Sequence, residues 1–364
     1  MRAGRAVAAG AAAVLAAGCA MGPSYRRPET PAAAQQSFRG QAADPRSLAD
    51  LPFWDVFHDE ALKALINEAL GKSPSVQIAA ARVEQARALA AADGWALWPG
   101  LGANTSGGRQ RAAVPGLGVA TFNTFGIGAN ASWEVDLWGR LRRTQEASQQ
   151  AFIASEEAQR GVTVALIGDV AAAYFNLRAL DAQKAIAEQR IAGRSKALEL
   201  FQARLSRGTG NRAEVATATA QVMDAQAQLA DIERRQRATE NQLAVLTGSP
   251  PRQVARGAAL EAQAIPPEVP AGLPSALLER RPDLRAAEAQ LHAATAGIGV
   301  AVAEFYPTIQ LNGSAGFDAL KVGSLLTANA IVTSVGPSVS IPIFQGGRLK
   351  ATLALRKAQQ VEAA

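Results

Sequence analysis

From Phe125 to Leu137 the odd positions read Phe, Ile, Ala, Ala, Trp, Val, Leu, and the even positions between them read Gly126, Gly128, Asn130, Ser132, Glu134 and Asp136. A period of two with one apolar and one small or polar face predicts a β-strand with two unlike faces. The parity returns late in the chain, with Val335, Val339, Ile341 and Ile343 against Ser334, Gly336, Ser338 and Ser340. Just before it, Ile309, Leu311, Ala315 and Phe317 alternate with Gln310, Asn312, Ser314 and Gly316. Each region predicts a hairpin of two strands of about ten residues, the length that crosses a bilayer as a tilted strand. Trp95, Trp98, Trp133, Trp138, Phe305 and Tyr306 fall near the strand ends, where aromatic rings girdle membrane barrels. The competing reading is a soluble sandwich with these rings in its core.

Between the hairpins the period lengthens. Stepping alternately by four and three from Leu166 gives Val170, Ala173, Leu177, Leu180, Lys184, Ala187, Ile191, Arg194, Leu198, Phe201 and Leu205, apolar except for Lys184 and Arg194. That is a coiled-coil seam. No proline occurs between Pro115 and Pro250, so one helix is predicted from about Arg140 to Leu205, roughly 100 Å at 1.5 Å per residue. A returning helix carries the matching seam Val215, Ala218, Val222, Ala225, Leu229, Ile232, Gln236, Thr239, Leu243 and Leu246. Asn211 suits its N-cap, and Glu214 the reciprocal partner of a capping box. Gly208 and Gly210 supply the reversal.

The chain also repeats itself at one constant offset of 208 residues. Pro74 maps to Pro282, Pro99 to Pro307, Asn104 to Asn312, Ser106 to Ser314, Gly108 to Gly316 and Gly128 to Gly336, and "GRL" at 139–141 falls on "GRL" at 347–349. In each copy a helix begins at a proline, whose missing N–H is harmless in a first turn, and a second proline ends it.

The N-terminus adds a destination. Arg2 and Arg5 precede an apolar run from Ala6 to Ala17, then Gly18 and Cys19, the only cysteine among 364 residues. A charged start, a short apolar core and small residues make a secretory leader. With the cysteine at its end, the stretch resembles a bacterial lipoprotein signal, which implies lipidation of Cys19; an idle thiol in an ordinary secreted protein is the alternative. Ala16 stands three places before the cysteine, where such signals usually carry Leu. Ala20 follows it, and an Asp there would have implied retention in the inner membrane. Stable anchoring takes more than one acyl chain. Beyond the leader no apolar stretch reaches the ~18 residues of a membrane helix, so a membrane crossing must be made by strands.

Composition changes little else. The net charge of +6 permits an anionic partner, but the arginines are scattered among acidic residues on helical stretches, which speaks against a nucleic-acid surface. One cysteine and two histidines leave no soft metal cluster, and no cofactor is expected. His292 aligns with Glu84 under the offset and reads as a helix-surface residue; His58, beside Asp59 and Glu60, reads as part of a solvated helix start. "GIGVAV" at 297–302 lacks the third glycine and the preceding strand of a dinucleotide loop. No catalytic constellation can be assigned, and an enzyme is not expected.

The stretches "CAMGPSYRRP" (19–28), "WEVDLWGRLRR" (133–143), "LLERRPDLRAAEAQL" (277–291), "FYPTIQLNGSAG" (305–316) and "IPIFQGGRL" (341–349) carry a resemblance to the TolC-like outer-membrane efflux factors, in particular their NodT-type lipoprotein branch. It implies an α+β membrane protein with a duplicated strand hairpin and long antiparallel coiled-coil helices. Three copies would form a twelve-stranded outer-membrane β-barrel continued by a periplasmic α-helical tunnel. The partners implied are a periplasmic adaptor and an inner-membrane pump, for which the protein would be a passive exit duct for small toxic compounds. Open sheet edges are not tolerated in hydrocarbon, which supports a multimer independently; eight strands leave a filled interior, whereas twelve leave a passage. The family's tip pattern falls on Arg204, Gly208, Asn211 and Glu214, with Leu205 in place of the usual Tyr and Asn211 in place of Ser. Asn130, Ser132, Glu134 and Asp136 are expected to face the lumen. The alternatives are the channel of a type I protein secretion system and a non-conducting periplasmic coiled-coil lipoprotein, the latter having no use for two-faced hairpins.

The expected divisions are a signal peptide at 1–18, a lipid-anchored tether at 19–52, a first repeat at 53–248, a Pro-rich linker at 249–274 and a second repeat at 275–364. The second repeat is expected to be incomplete, since the offset carries the first copy's long helical hairpin roughly 90 residues past Ala364. On that expectation a chain ending there would fail to seal a tunnel.

Overall fold

The computed structural model describes residues 20–29, 59–114, 118–263 and 279–364. The signal peptide, Cys19, His58, the tether from residue 30 and the linker from residue 264 lie outside the described residues. In chain order the elements are α1 (Glu60–Lys72), α2 (Pro74–Trp95), β1 (Gly100–Val114), β2 (Gly118–Val135), α3 (Arg140–Ser206), α4 (Arg212–Leu246), α5 (Pro282–Ala303), β3 (Thr308–Ala319), β4 (Ile331–Ser340) and α6 (Arg348–Ala363). They fall into two compact units, with α2 and α3 contributing to both.

The first unit holds the strands. They form one antiparallel sheet in the order β1-β2-β3-β4. Gly100 pairs with Ser132 and Asn104 with Gly128 in the first hairpin. In the second, Thr308 pairs with Ser340 and Asn312 with Gly336. The 208-residue offset therefore relates the two ladders pair by pair. α2 and α5 begin at the equivalent Pro74 and Pro282 and have 22 residues each. β2 and β3 join the copies, with Gly128 opposite Gly316. β1 and β2 have 15 and 18 residues, more than the ten or so expected, because the ladder continues where the apolar half of the alternation gives way to Arg109, Arg111, Thr121 and Asn123.

The second unit is helical. Leu62, Leu65, Ile66 and Ala69 of α1 pack with Leu166, Val170, Ala173, Tyr174 and Leu177 of α3, Leu243 of α4 and Val254. α1 begins at the helix start read from Asp59 and Glu60; Ser73 and Pro74 separate it from α2. α3 spans 67 residues, and every seam position read from the sequence on α3 and α4 is buried or half-buried. Leu180 and Ala187 meet Ile232 and Leu229. The seam is flanked by Lys184 Nζ donating to Glu233 at 2.8 Å and Gln236 Nε2 donating to Asp181 at 2.8 Å. One expectation is corrected here: α3 does contain an 18-residue window long and apolar enough to cross a membrane, its apolar content being the Ala-, Val- and Leu-rich seam.

Candidate functional site: two-faced strands and a capped helical turn

In all three ladders even residues pair with even and odd with odd, so parity decides the face throughout the sheet. The even face brings together Asn130, Ser132 and Glu134 with Asn104, Ser106, Gln310, Asn312, Ser314, Ser334 and Ser338. Asn312 Nδ2 donates to Ser338 Oγ at 2.9 Å, and the Ser314 and Ser334 hydroxyls are 2.9 Å apart. The odd face carries an apolar band across the four strands, interrupted by Thr105 on β1 and Thr333 on β4. On β2 it runs from Phe125 through Ile127, Ala129, Ala131 and Trp133 to Val135, beside Leu101 and Ala103, Ile309 to Phe317, and Ile331, Val335 and Val339. Eleven residues of β2 lie in that band, the span of a membrane strand. Trp133 sits near one end, its Nε1 donating to Leu97 O at 2.9 Å; Phe125 and Phe317 lie toward the other. Trp138 stacks on Tyr306 with centroids 4.8 Å apart.

Asp136 is placed differently from the expectation. β2 ends at Val135, and the Asp136 carboxylate accepts from the N–H groups of Leu141 and Arg142 at 3.1 and 3.0 Å. It neutralises free donors in the first turn of α3, a favourable site for an anion. Glu134, although on the even face, makes a two-pronged pair with Arg140 at 2.8 and 2.9 Å.

At the other end of α3 the chain reverses. Gly208 has φ +76°; Thr209 N–H donates to Arg204 O and Gly208 N–H to Leu205 O, both at 3.0 Å. These are the two bonds of a Schellman stop, for which glycine is favoured. Asn211 Oδ1 accepts from Ala213 N and Glu214 N, and Glu214 Oε2 accepts from Asn211 N, completing the capping box read from the sequence. Asn211 and Glu214 thus serve the turn itself, while the Arg204, Arg207 and Arg212 side chains are exposed beside it.

Two polar clusters were not legible beforehand. Asp59 is not solvated but 4% exposed. It caps α1 through the N–H groups of Ala61 and Leu62 and accepts from the Tyr174 hydroxyl at 2.9 Å and Gln263 Nε2 at 2.7 Å. Burial opposes its charge, but the hydrogen bonds from Gln263, Leu62, Tyr174 and Ala61 outweigh it and hold the carboxyl below the usual carboxylate range. His292 is likewise not a plain surface residue. Its Nε2 lies 2.9 Å from Glu146 Oε1, and its ring stacks on Tyr25 at 4.4 Å. Residues 20–29 pass over α5, where Arg27 forks onto Glu288 with two bonds of 2.6 Å.

A family model described as outer membrane efflux protein matches residues 65–249 and 273–364. The chain belongs to the outer membrane efflux protein family. It is 36% identical over 350 residues to the solvent efflux pump outer membrane protein SrpC of Pseudomonas putida, covering 93% of this chain and 74% of that one. It is 32% identical over 355 residues to the cation efflux system protein CusC of Escherichia coli K12, covering 94% and 75%. Among solved structures it is similar to the open state of the Neisseria gonorrhoeae MtrE outer membrane channel, with TM-score 0.82 and 33% identity over 95% of this chain and 77% of that one. As a member of this family the protein is an outer-membrane channel component of an efflux system, located in the outer membrane and extending into the periplasm.

Proposed function

We propose that three copies close a twelve-stranded barrel whose even face lines a water-filled lumen and whose odd face meets lipid. The long helices continue the barrel as a periplasmic tunnel, whose capped turn around Arg204, Gly208, Asn211 and Glu214 meets a periplasmic adaptor and, through it, an inner-membrane pump. Cys19 carries the lipid anchor. The observation that carries this reading is the parity of the sheet: a predominantly apolar band on one face backs a row made mostly of Ser, Asn, Gly and Gln on the other. Hydrocarbon accepts such a sheet only with its edges paired and its polar face hidden from lipid.

The carboxylates of the even face among the described strand residues are Glu134, paired with Arg140, and Asp318. Such a wall hydrogen-bonds many solutes and excludes few by charge, so the choice of cargo falls to the pump. Small toxic compounds fit that duct, a class spanning the solvents and cations named for the relatives. Deleting the gene should sensitise cells to such compounds only in strains that retain the cognate pump; equal sensitivity with the pump absent would contradict the duct role.

A further inference from the structure

Past the apolar band, at the end of the sheet away from the helices, β1 and β2 continue as a two-stranded ribbon. β3 ends at Ala319, opposite Phe125, and β4 begins at Ile331, opposite Phe317. The β1–β2 ladder runs on from the Gly107–Phe125 pair to Val114–Gly118. The first two odd positions of β1 in that ribbon are Arg109 and Arg111, opposite Asn123 and Thr121. We propose that these four residues bind the phosphorylated sugar headgroup of the outer-leaflet glycolipid, lipopolysaccharide. The proposal rests on the reading in which the odd face meets lipid and the helices leave toward the periplasm. To that reading it adds a lipid class and the residues that recognise it.

The depth is right for a headgroup. Residues two apart on a strand are separated by about 7 Å, or about 5 Å along the bilayer normal at a tilt near 40°. Counted from Gly107 at the end of the band, Arg109 and Arg111 stand about 5 and 10 Å outside the hydrocarbon. The headgroup layer on one side of a bilayer is about 5–8 Å thick, and a sugar headgroup reaches farther. Both guanidinium groups therefore lie at the level of lipid phosphates.

The charge is unanswered by the protein. β1 and β2 contain three charged residues, Arg109, Arg111 and Glu134, and Glu134 sits at the opposite end, paired with Arg140. The carboxylate of β3 at this level, Asp318, pairs with Gly126 on the even face. The turn at 115–117 is uncharged, and the β3–β4 connection at 320–330 adds Lys321 and no carboxylate. Among the described residues neither arginine has an ion-pair or side-chain hydrogen-bond partner, and both are exposed. A neighbouring copy would bring the same residues and so no counter-charge.

Keeping the ribbon wet does not explain the placement. Farther out the same face carries Ala113 and Val119, the latter 65% exposed, so the charge is confined to the rim of the band. There the chemistry of one amphiphile is matched in order. The band from Phe125 inward takes acyl chains. An arginine fork takes a phosphate with two parallel hydrogen bonds. Asn123 and Thr121, about 5 Å away across the ladder, supply donors and acceptors for sugar hydroxyls. Free phosphate would use only the forks.

The test titrates the full native protein, purified from outer membranes in mild detergent, with lipid A, the phosphorylated anchor of lipopolysaccharide, and reads bound lipid by native mass spectrometry. Lipid A should bind the wild type at least about tenfold more tightly than Arg109→Gln with Arg111→Gln. Lipid A stripped of its phosphates should bind the wild type as weakly as intact lipid A binds that variant. Arg109→Lys with Arg111→Lys, which keeps charge without the fork, should fall between. Equal affinity of the wild type and the glutamine variant would overturn the proposal. Displacement of lipid A by excess inorganic phosphate, or equally tight binding of phosphatidylglycerol, would overturn the assignment to lipopolysaccharide. Ion selectivity in planar bilayers separates this failure from failure of the face assignment. Arginines on the lipid side leave selectivity unchanged when replaced by glutamine, whereas a fall in anion selectivity would place them in the lumen and refute the faces themselves.

Discussion

Replacing Ala131 by Arg and, separately, its neighbour Asn130 by Arg places the same charge on opposite faces of one strand. On β2 the apolar band runs from Phe125 to Val135, so both residues stand near its middle and hence near the bilayer midplane. Ala131 pairs with Leu101 and Gly313 on the odd face, and an arginine there must lie in hydrocarbon. A charge at that depth costs about 2–4 kcal/mol per copy, or roughly 6–12 kcal/mol for three copies. Asn130 lies over Gly102, whose Cβ would come 3.0 Å from Asn130 Oδ1. A longer side chain there extends away from the wall into water, at a surface cost of within about 0.5 kcal/mol. The assay is the yield of protein in the outer-membrane fraction and the temperature at which detergent-resistant trimers dissociate. Ala131→Arg should be lost or dissociate far earlier, with Asn130→Arg close to wild type. Equal losses from the two, or loss from Asn130→Arg alone, would refute the assignment of faces.

Asp59→Ala removes the cap of α1 and strands the buried Tyr174 hydroxyl donor, costing about 2–4 kcal/mol. Hydrogen exchange across 59–72 should rise by orders of magnitude, and unchanged exchange would count against the cluster. Glu288 is held below the usual carboxylate range first by the Arg27 hydrogen bond and then by Tyr25, against the opposing effect of burial. A depressed folded value means that the stabilisation is complete above the unfolded pKa and is lost as pH falls through the folded one. Proteolytic release of segment 20–29 should therefore appear only as pH drops below about 4, the unfolded glutamate range; release already at pH 6 would disprove the clamp. Asn211→Ala should cost about 1 kcal/mol and fray the start of α4, seen as faster exchange at Ala213 and Glu214, without altering trimer yield. Cys19, outside the described residues, should be recovered by mass spectrometry as an acylated N-terminal residue of the membrane-extracted protein; an unmodified thiol would count against the anchor.

Features set by period were legible in the sequence. The strand parity depends on successive side chains alternating, and the α3–α4 seam on a repeat of 3.5 residues, so Ala131, Asn130, Leu177 and Leu243 could be assigned to faces without coordinates. The capping box at Asn211 and Glu214 was legible for a similar reason, since its partners lie three residues apart. What escaped notice depends on contacts distant in sequence. Asp59 meets Tyr174 and Gln263, 115 and 204 positions away, and Tyr25 meets His292 through a segment with no periodicity. Asp136 continued the alternation of β2 in sequence, yet its carboxylate serves the helix that follows, because free N–H groups at a helix start attract the nearest anion. The full length of β1 and β2 was hidden because their outer halves lose the apolar face that marked the rest.

The central claim is that the even face lines an open aqueous duct through the membrane. Its most direct test is single-channel conductance of the purified native protein in planar bilayers, with cysteine at Ser314 or, in a separate variant, at the adjacent Ala315. A bulky cationic thiol reagent added from the water should reduce the conductance of Ser314→Cys in three discrete steps, one per copy, and leave Ala315→Cys unchanged. No conductance, or block of Ala315→Cys as readily as Ser314→Cys, would contradict the account.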